Sequence, residues 1–393
     1  MKLKTLLLAL VIVLSTARPY TAFGQSAPNR STPEPLDLPV GDAYLSPDGL
    51  HILLASPDKS GYSLCVYSAA GKQETCGEFL TAPDLWSIRW SPDSQWIAFT
   101  ENLFLYMREP DIWVMDVQTG KVTDLTDDQL TKLDITKLWA SPSLDVEPAW
   151  TPDSRQIVFL RYHGEPSATN SDQHDEQADI YRVAPTGGDP VHVGALVYPA
   201  GTPPLATYAL ALSPDGQQIA YNVDAHKDGE AANGLWVADL DGKHARQIIP
   251  AYGITDVAFS ADGRFVLGLN GQVLAVVKST WDASSSLVAA LDGGSKLPLD
   301  SGHPSQWAAW SPSGTSLVYI VAHSKQPEQD GLYVVDAPGK AGKLVYPGEF
   351  VPPSNSHKAP TNHNLLDWAS NNTVLVGFQG KLMLLSLDSN QSS

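Results

Sequence analysis

One short phrase recurs seven times along this 393-residue chain: a large apolar residue, Ser or Thr, Pro, Asp, Gly or Ser, then an aliphatic residue three places on. Pro presets the backbone of a tight turn, Asp caps it, and Gly accepts a positive φ. The fifth and sixth copies have drifted at single positions, and the seventh at several. The copies begin at Leu45, Trp90, Trp150, Leu212, Phe259, Trp310 and Trp368.

Each copy sits between two apolar segments of strand length, and a second hairpin with its own glycine turn follows it. One unit therefore predicts strand, turn, strand, loop, strand, turn and strand, which is a four-stranded antiparallel sheet. The turn prolines recur 45 to 62 residues apart, in keeping with propeller repeats that carry insertions. A single sheet of this kind cannot bury both faces, so the sheets are expected to stack radially.

The phrase resembles the Trp-Ser-Pro-Asp-Gly repeat of TolB-like, WD-type β-propellers, and the resemblance covers nearly the whole mature chain. It implies an all-β, seven-bladed propeller, with four-stranded antiparallel blades starting near residues 42, 86, 146, 207, 254, 306 and 364. The last unit lacks a fourth strand before the polar tail 389–393. We therefore expect residues 36–40 to complete it and close the ring.

The N-terminus is typical of an export signal. Lys2 and Lys4 precede an apolar run over residues 6–14, and small residues occur at Ala22 and Gly24. This run is too short for a membrane-spanning helix. We predict cleavage near Gly24, one propeller domain over residues 25–388, no transmembrane segment in the mature chain, and a periplasmic or secreted location.

Cys65 and Cys76 are the only cysteines. With Ala70 and Gly71 as the turn of the hairpin, counting outward places the two cysteines opposite each other. Opposed strand residues are close enough for a disulfide, which an oxidising compartment would favour.

Charge restricts the classes of partner. The chain has 43 acidic and 25 basic residues, a net charge of −18, which argues against a nucleic-acid partner. Catalytic motifs such as Gly-x-Ser-x-Gly or His-Glu-x-x-His do not occur. The leading hypothesis is a non-catalytic module that binds a protein, small molecule or glycan.

Strand parity divides the loops into two sets. Turns within hairpins are short, whereas the loops at the opposite end are long and contain seven of the ten histidines. Here we expect a partner to contact a set of aromatic, basic and histidine side chains: Tyr106, Arg108, Trp139, Tyr162, His163, His226 and His323.

Histidines and carboxylates in one of these loops give a second hypothesis. His163, Asp172, His174 and Asp175 could ligate a divalent transition metal, which would make the protein a metal-assisted propeller lyase or hydrolase. No other cofactor is expected. A purely structural surface protein is the third alternative.

Overall fold

The structure is a computed structural model, and Glu34–Ser393 forms a single compact unit. It describes the following residues: 35–39, 41–59, 61–101, 110–127, 143–162, 177–199, 202, 206–224, 231–270, 287–291, 296–298, 307–314, 316–321, 327–350 and 366–387.

Six four-stranded antiparallel sheets follow one another along the chain, each in the order of the sequence. We call them blades 1 to 6. Blade 1 consists of β1–β4 (Asp42–Leu45, His51–Pro57, Tyr62–Ser68, Gln73–Phe79), blade 2 of β5–β8 (Arg89–Trp90, Trp96–Thr100, Ile112–Asp116, Val122–Asp124) and blade 3 of β9–β12 (Leu144–Trp150, Ile157–Tyr162, Gln177–Val183, Val191–Val197). Blade 4 consists of β13–β16 (Leu210–Leu212, Gln218–Val223, Gly234–Asp239, Arg246–Pro250), blade 5 of β17–β20 (Ile254–Phe259, Phe265–Asn270, Leu287–Ala290, Lys296–Pro298) and blade 6 of β21–β24 (Trp307–Trp310, Leu317–Val321, Gly331–Val335, Lys343–Pro347). A 3-10 turn, Pro327–Gln329, precedes β23.

A further antiparallel sheet, which we call sheet 7, has three strands, β25–β27 (Leu366–Trp368, Thr373–Phe378, Lys381–Ser386). The expectation of seven four-stranded blades is therefore corrected to six. The expected closing segment reaches β27 through one isolated bridge, Pro35 to Met383, and one hydrogen bond, from the Leu36 N–H to the Leu382 carbonyl at 2.9 Å. Prolines at positions 35 and 39 have no N–H to donate, which limits the ladder that this segment can form.

The repeated phrase builds the first turn of each blade. In blade 1 the Ser46 hydroxyl donates to Asp48 Oδ1 at 2.6 Å, and it accepts from the His51 N–H at 2.9 Å. The same pair of bonds recurs around Ser91 and Ser213. These short local networks explain the choice of Ser and Asp at fixed positions.

Tryptophans of the phrase connect neighbouring blades. Trp90 donates from Nε1 to the Tyr44 carbonyl at 3.2 Å, and Trp150 donates to the Arg89 carbonyl at 3.0 Å. Trp310 makes the same bond to Ala258 at 3.0 Å. Apolar clusters fill the spaces between sheets, such as the one that joins Tyr44 and Leu53 of blade 1 to Phe99 of blade 2. Burial between blades is thus the main source of stability.

Cys65 and Cys76 lie opposite each other in β3 and β4 and form a disulfide with an S–S distance of 2.04 Å. The Cys76 side of this hairpin is exposed. The bond therefore fastens the outer edge of blade 1 rather than its core.

Each blade has two unlike ends, because its strands alternate in direction. We call the end with the first-to-second and third-to-fourth turns the turn end. The opposite end, where the second-to-third loops and the links between blades lie, is the loop end. Each innermost strand starts at the loop end, which places its first residues there. Among the described residues, no helix is both long and apolar enough to cross a bilayer.

Candidate functional site

Most side chains that the sequence suggested for binding lie outside the described residues. These are Tyr106, Arg108, Trp139, His163, His226 and His323. Tyr162 is described, and it is only 4% exposed. Its hydroxyl lies 2.9 Å from that of Tyr198, so it belongs to a buried network rather than to the surface.

The proposed metal ligands His163, Asp172, His174 and Asp175 also lie outside the described residues. Elsewhere in the described part of the chain, no three or more His, Cys, Asp or Glu side chains are grouped so as to hold a metal ion. The metal hypothesis therefore stays a prediction about the loop around residues 163–176.

An ion pair joins two blades that are far apart in the chain. The Arg89 guanidinium of blade 2 lies 3.1 Å from Asp256 Oδ1 of blade 5, although 167 residues separate them. Both side chains are about three-quarters buried. Blades 2 and 5 are not neighbours in the ring, and both residues belong to innermost strands. The pair therefore lies at the axis, where innermost strands face one another.

The remaining donors of Arg89 are directed into its own blade. One terminal nitrogen donates to the Trp86 carbonyl at 2.6 Å and to the Ile88 carbonyl at 3.1 Å. The guanidinium is consequently held rigidly by two backbone groups and one carboxylate. It acts as the fixed positive charge of the axial cluster, by which we mean Arg89, Asp256, Asp84, Glu147 and Asp367.

Three further carboxyl groups interact electrostatically with Arg89, which lowers their pKa values against the larger effect of burial. Burial raises the pKa of Asp84, with the Trp86 N–H and Arg89 opposing the shift. Burial likewise raises the pKa of Glu147 well above its usual value, and negative charges at Asp84 and Asp256 add to the effect. Burial raises the pKa of Asp367 to about 7, although the Leu45 N–H donates to its carboxylate at 2.9 Å.

Glu147 has an unusual backbone. Its φ is +56°, a left-handed conformation that is costly for a residue with a side chain. The pairing of β9 with β10 shifts register at this point, between Val158 and Leu160, which marks a β-bulge. Bulges redirect side chains, and they are frequent beside functional sites. Its carboxyl group makes no hydrogen bond to another described residue, and the charges that act on it are those of Asp84, Arg89 and Asp256.

A buried hydroxyl network adjoins Glu147 on the side of blade 4. Tyr198 lies 2.9 Å from both the Tyr162 hydroxyl and Thr207 Oγ1, and Thr207 donates to the Asn222 carbonyl at 2.9 Å. Burial raises the pKa of Tyr198, and the charge of Glu147 contributes to that shift. This network fixes the segment that precedes β13.

Asn222 lies where β13 separates from β14. Its Oδ1 accepts from the N–H groups of Tyr208 at 2.8 Å and Ala209 at 2.9 Å, so the carboxamide lies on the axial side of β14. The side chain is 1% exposed, and its Nδ2 has no hydrogen-bond partner among the described residues. A buried donor without a partner is rare in folded proteins.

Another group of acids lies at the loop end of blade 2. Burial raises the pKa of Asp111 to about 8 and that of Asp124 to about 7, and the charges of Glu101 and neighbouring aspartates increase both shifts. Thr126 donates to Asp111 Oδ1 at 3.1 Å. Asp145 of blade 3 is instead neutralised by a bidentate pair with Arg161, with both distances 2.6 Å.

The axial cluster was not predicted from the sequence, although the repeats contain a signal for it. The residue just before the large apolar residue of the phrase is Ala in four copies, at Ala149, Ala211, Ala258 and Ala309. Two copies have a charged residue there, Arg89 and Asp367. Charges at one repeat position of a propeller fall on innermost strands, so comparing the copies position by position would have found both.

Comparisons with known proteins find the fold and no closer relationship. No protein-family model matches the chain, and no curated protein does. Among solved structures, an oligogalacturonate lyase in complex with manganese is 12% identical with a TM-score of 0.57, and 88% of each chain is covered. The oligogalacturonate lyase from Vibrio parahaemolyticus is 12% identical with a TM-score of 0.58 over the same shares.

A putative TolB from Agrobacterium tumefaciens is 18% identical with a TM-score of 0.42, over 66% of this chain and 79% of that one. At these identities the similarity shows the fold alone. The sheet topology, together with the two lyase structures, confirms the predicted architecture at the level of its class: the chain is an all-β propeller with four-stranded antiparallel blades.

Proposed function

We propose that this protein is a non-catalytic binding module that takes its ligand at the loop end of the propeller axis. The observation that carries the proposal is the axial cluster. Five charged side chains from blades 2, 3 and 5, sheet 7 and the link before blade 2 converge on the axis. Asp84 lies in a link at the loop end, and the Arg89 side chain turns back to donate to the Trp86 and Ile88 carbonyls of that link. Propellers commonly bind partners where loops from many blades surround one opening.

The proposal also includes export of the protein and closure of the propeller ring. Residues 1–24 act as an export signal, and the mature chain works outside the cytoplasm. Residues 36–40 complete sheet 7 as its fourth strand, which would give a closed ring of seven blades. The Pro35–Met383 bridge supports this closure, as does the packing of Leu36 and Leu38 against the apolar cluster between blade 1 and sheet 7.

A metal-assisted lyase is the second candidate. It is favoured by the similarity in fold to an oligogalacturonate lyase in complex with manganese. In this chain the ligands would be His163, Asp172, His174 and Asp175. Incubation of the mature protein with manganese and oligogalacturonate tests the idea, because elimination would create an unsaturated product with a new ultraviolet absorbance.

The binding proposal is tested with two matched surface variants. Tyr252 lies at the loop end, in the link between blades 4 and 5, and is 45% exposed. Leu50 lies in the first turn of blade 1, at the turn end, and is 56% exposed. Tyr252→Ala and Leu50→Ala therefore remove similar exposed apolar surface at opposite ends.

A defined panel serves as probe: trigalacturonate, spermidine, and capped tripeptides with a central Lys, Glu or norleucine. Calorimetric titration should find a probe whose binding Tyr252→Ala weakens while Leu50→Ala leaves it unchanged. Loss of binding only in Leu50→Ala would refute the choice of face. Manganese-dependent turnover of trigalacturonate would replace the binding module with the enzyme.

A further inference from the structure

We infer that the axial site receives a basic residue of a polypeptide, with the ammonium or guanidinium group beside Glu147 and a backbone carbonyl at Asn222. This inference rests on the proposed function and names its ligand. Two residues support the inference: Glu147 offers a carboxylate to a cation, and Asn222 offers an N–H donor to a carbonyl oxygen.

Charge around Glu147 favours a cation. Asp84 and Asp256 act on its carboxyl group, and Arg89 is the one cation that does so in the described part of the chain. Asp367 adds a further acid near Asp256 and Arg89. Arg89 donates to Asp256 and to two carbonyls, and no hydrogen bond joins these two described residues, Arg89 and Glu147. An incoming cation would supply the missing countercharge and form charge-assisted hydrogen bonds in a partly desolvated setting.

The Asn222 carboxamide is evidence of another kind, independent of charge. Its Nδ2 is a donor without a partner in the part of the chain that the structure describes, on a side chain that is 1% exposed. Its Oδ1 is fixed by the N–H groups of Tyr208 and Ala209. The carboxamide therefore cannot turn away from the axis without breaking two backbone hydrogen bonds. A buried donor held in this way is satisfied when a ligand brings an acceptor oxygen.

Tyr208 connects the two groups. It precedes β13, and its N–H donates to Asn222. Burial raises its phenol pKa, and electrostatic interaction with Asp224, Tyr252 and Glu147 adds to that shift. An aromatic ring next to carboxylates suits a basic side chain, since the ring face attracts a cation. A ligand with a cation and a nearby carbonyl matches this arrangement, and a basic residue in an extended peptide has both.

The experiment is a calorimetric titration of the mature protein with acetyl-Gly-Lys-Gly-amide, its norleucine counterpart, and spermidine. The lysine peptide should bind at least about tenfold more tightly than the norleucine peptide, because only lysine is charged. It should also bind more tightly than spermidine, which has cations without a carbonyl. Equal affinities for the lysine and norleucine peptides would overturn the inference.

Variants connect the binding to the site. Glu147→Gln should weaken binding of the lysine peptide by about tenfold or more, as expected for loss of a charge-assisted contact. Asp84→Asn is the substitute if Glu147→Gln does not fold. Asp189→Asn, which removes an exposed carboxylate at the turn end, should leave the affinity within about twofold. Equal losses in Asp189→Asn and Glu147→Gln would reduce the effect to net charge and refute the inference.

Asn222→Asp keeps the acceptor for Tyr208 and Ala209 but replaces the free donor by a second acceptor. It should raise the affinity for spermidine relative to the lysine peptide, because the peptide carbonyl loses its donor. If the ratio of the two affinities does not change, Asn222 has no part in the site. If trigalacturonate binds at the loop end while both cations fail, the inference is wrong and the proposed function stands.

Discussion

Arg89 of blade 2 and Asp256 of blade 5 form an ion pair across the propeller axis, with 3.1 Å between guanidinium and carboxylate. Removing one partner leaves the other partly buried without its countercharge. Arg89→Met should lower the free energy of unfolding by about 1–3 kcal/mol, less than for a fully buried pair because a quarter of each side chain is exposed.

Chemical denaturation of Arg89→Met, Asp256→Asn and the double variant measures this coupling. The double variant should lose less stability than the sum of the single ones, because it leaves no unpaired charge. Strict additivity would show that the two groups do not stabilise the fold through each other.

A second prediction concerns the hydroxyl of Ser94, which replaces Gly in the turn of blade 2. Ser94 has a φ of +60°, and its Oγ accepts from the Asp48 N–H of blade 1 at 3.2 Å. Ser94→Ala keeps the backbone strain and loses the hydrogen bond, so it should destabilise the fold by about 1–2 kcal/mol. Ser94→Gly loses the same bond but relieves the strain, so its cost should be smaller. Thermal unfolding of both variants tests the prediction. A larger loss of stability in Ser94→Gly than in Ser94→Ala would contradict it.

A third prediction concerns close contact between blades at Gly242. Its φ is +81°, and a Cβ there would overlap the backbone carbonyl of Ala195 in blade 3. Gly71 occupies the equivalent turn of blade 1 at a φ of +79°, with open space around it. Gly71→Ala should cost only the left-handed strain, about 1–2 kcal/mol, whereas Gly242→Ala adds a steric clash of about 1–3 kcal/mol. Equal losses in denaturant titrations would show that blades 3 and 4 separate easily here.

The fourth prediction is a dependence of stability on pH. The pKa of Asp367 rises from 3.8 to about 7 on folding, mainly by burial. The folded protein then binds this proton more tightly than the unfolded chain does, so stability falls as pH rises from about 4 to about 7. Asp367→Asn removes the titration and can still accept from the Leu45 N–H. It should be more stable than the parent at pH 8, by an amount on the order of a few kcal/mol, and nearly equal at pH 4.

Free energies of unfolding measured across this pH range test the prediction, with the exposed Asp189→Asn as control. The difference between Asp367→Asn and the parent should shrink toward acid pH, while the control shows no such trend. A difference that stays constant with pH would mean that Asp367 is ionised in the folded protein throughout.

Local chemistry of the repeated phrase determined the blades. Ser46, Asp48 and Gly49 close a tight hairpin through contacts within five residues, so a pattern in the sequence is sufficient to predict it. The same holds for Cys65 and Cys76, whose pairing follows from counting outward from one turn. Interactions of this kind depend on neighbours along the chain, and the sequence states them directly.

Contacts between blades were decided only by the tertiary structure. The Trp90 bond to the Tyr44 carbonyl spans 46 residues, and the Arg89–Asp256 pair spans 167. Such distances depend on the radius of the ring and on which residues its innermost strands turn toward the axis. Sequence separation predicts neither the radius nor the residues that face the axis, because the angle between successive blades depends on how they pack.

The candidate site also combines a feature that the sequence predicts with features that only the tertiary structure decides. The sequence indicated the loop end as the elaborated end, yet the side chains that converge there, Glu147 and Asn222 among them, have no motif. Glu147 faces the axis because a bulge shifts the register of β9, and Asn222 because β13 separates from β14. Local propensity does not predict such irregularities, because they depend on how neighbouring strands of one blade pair in three dimensions.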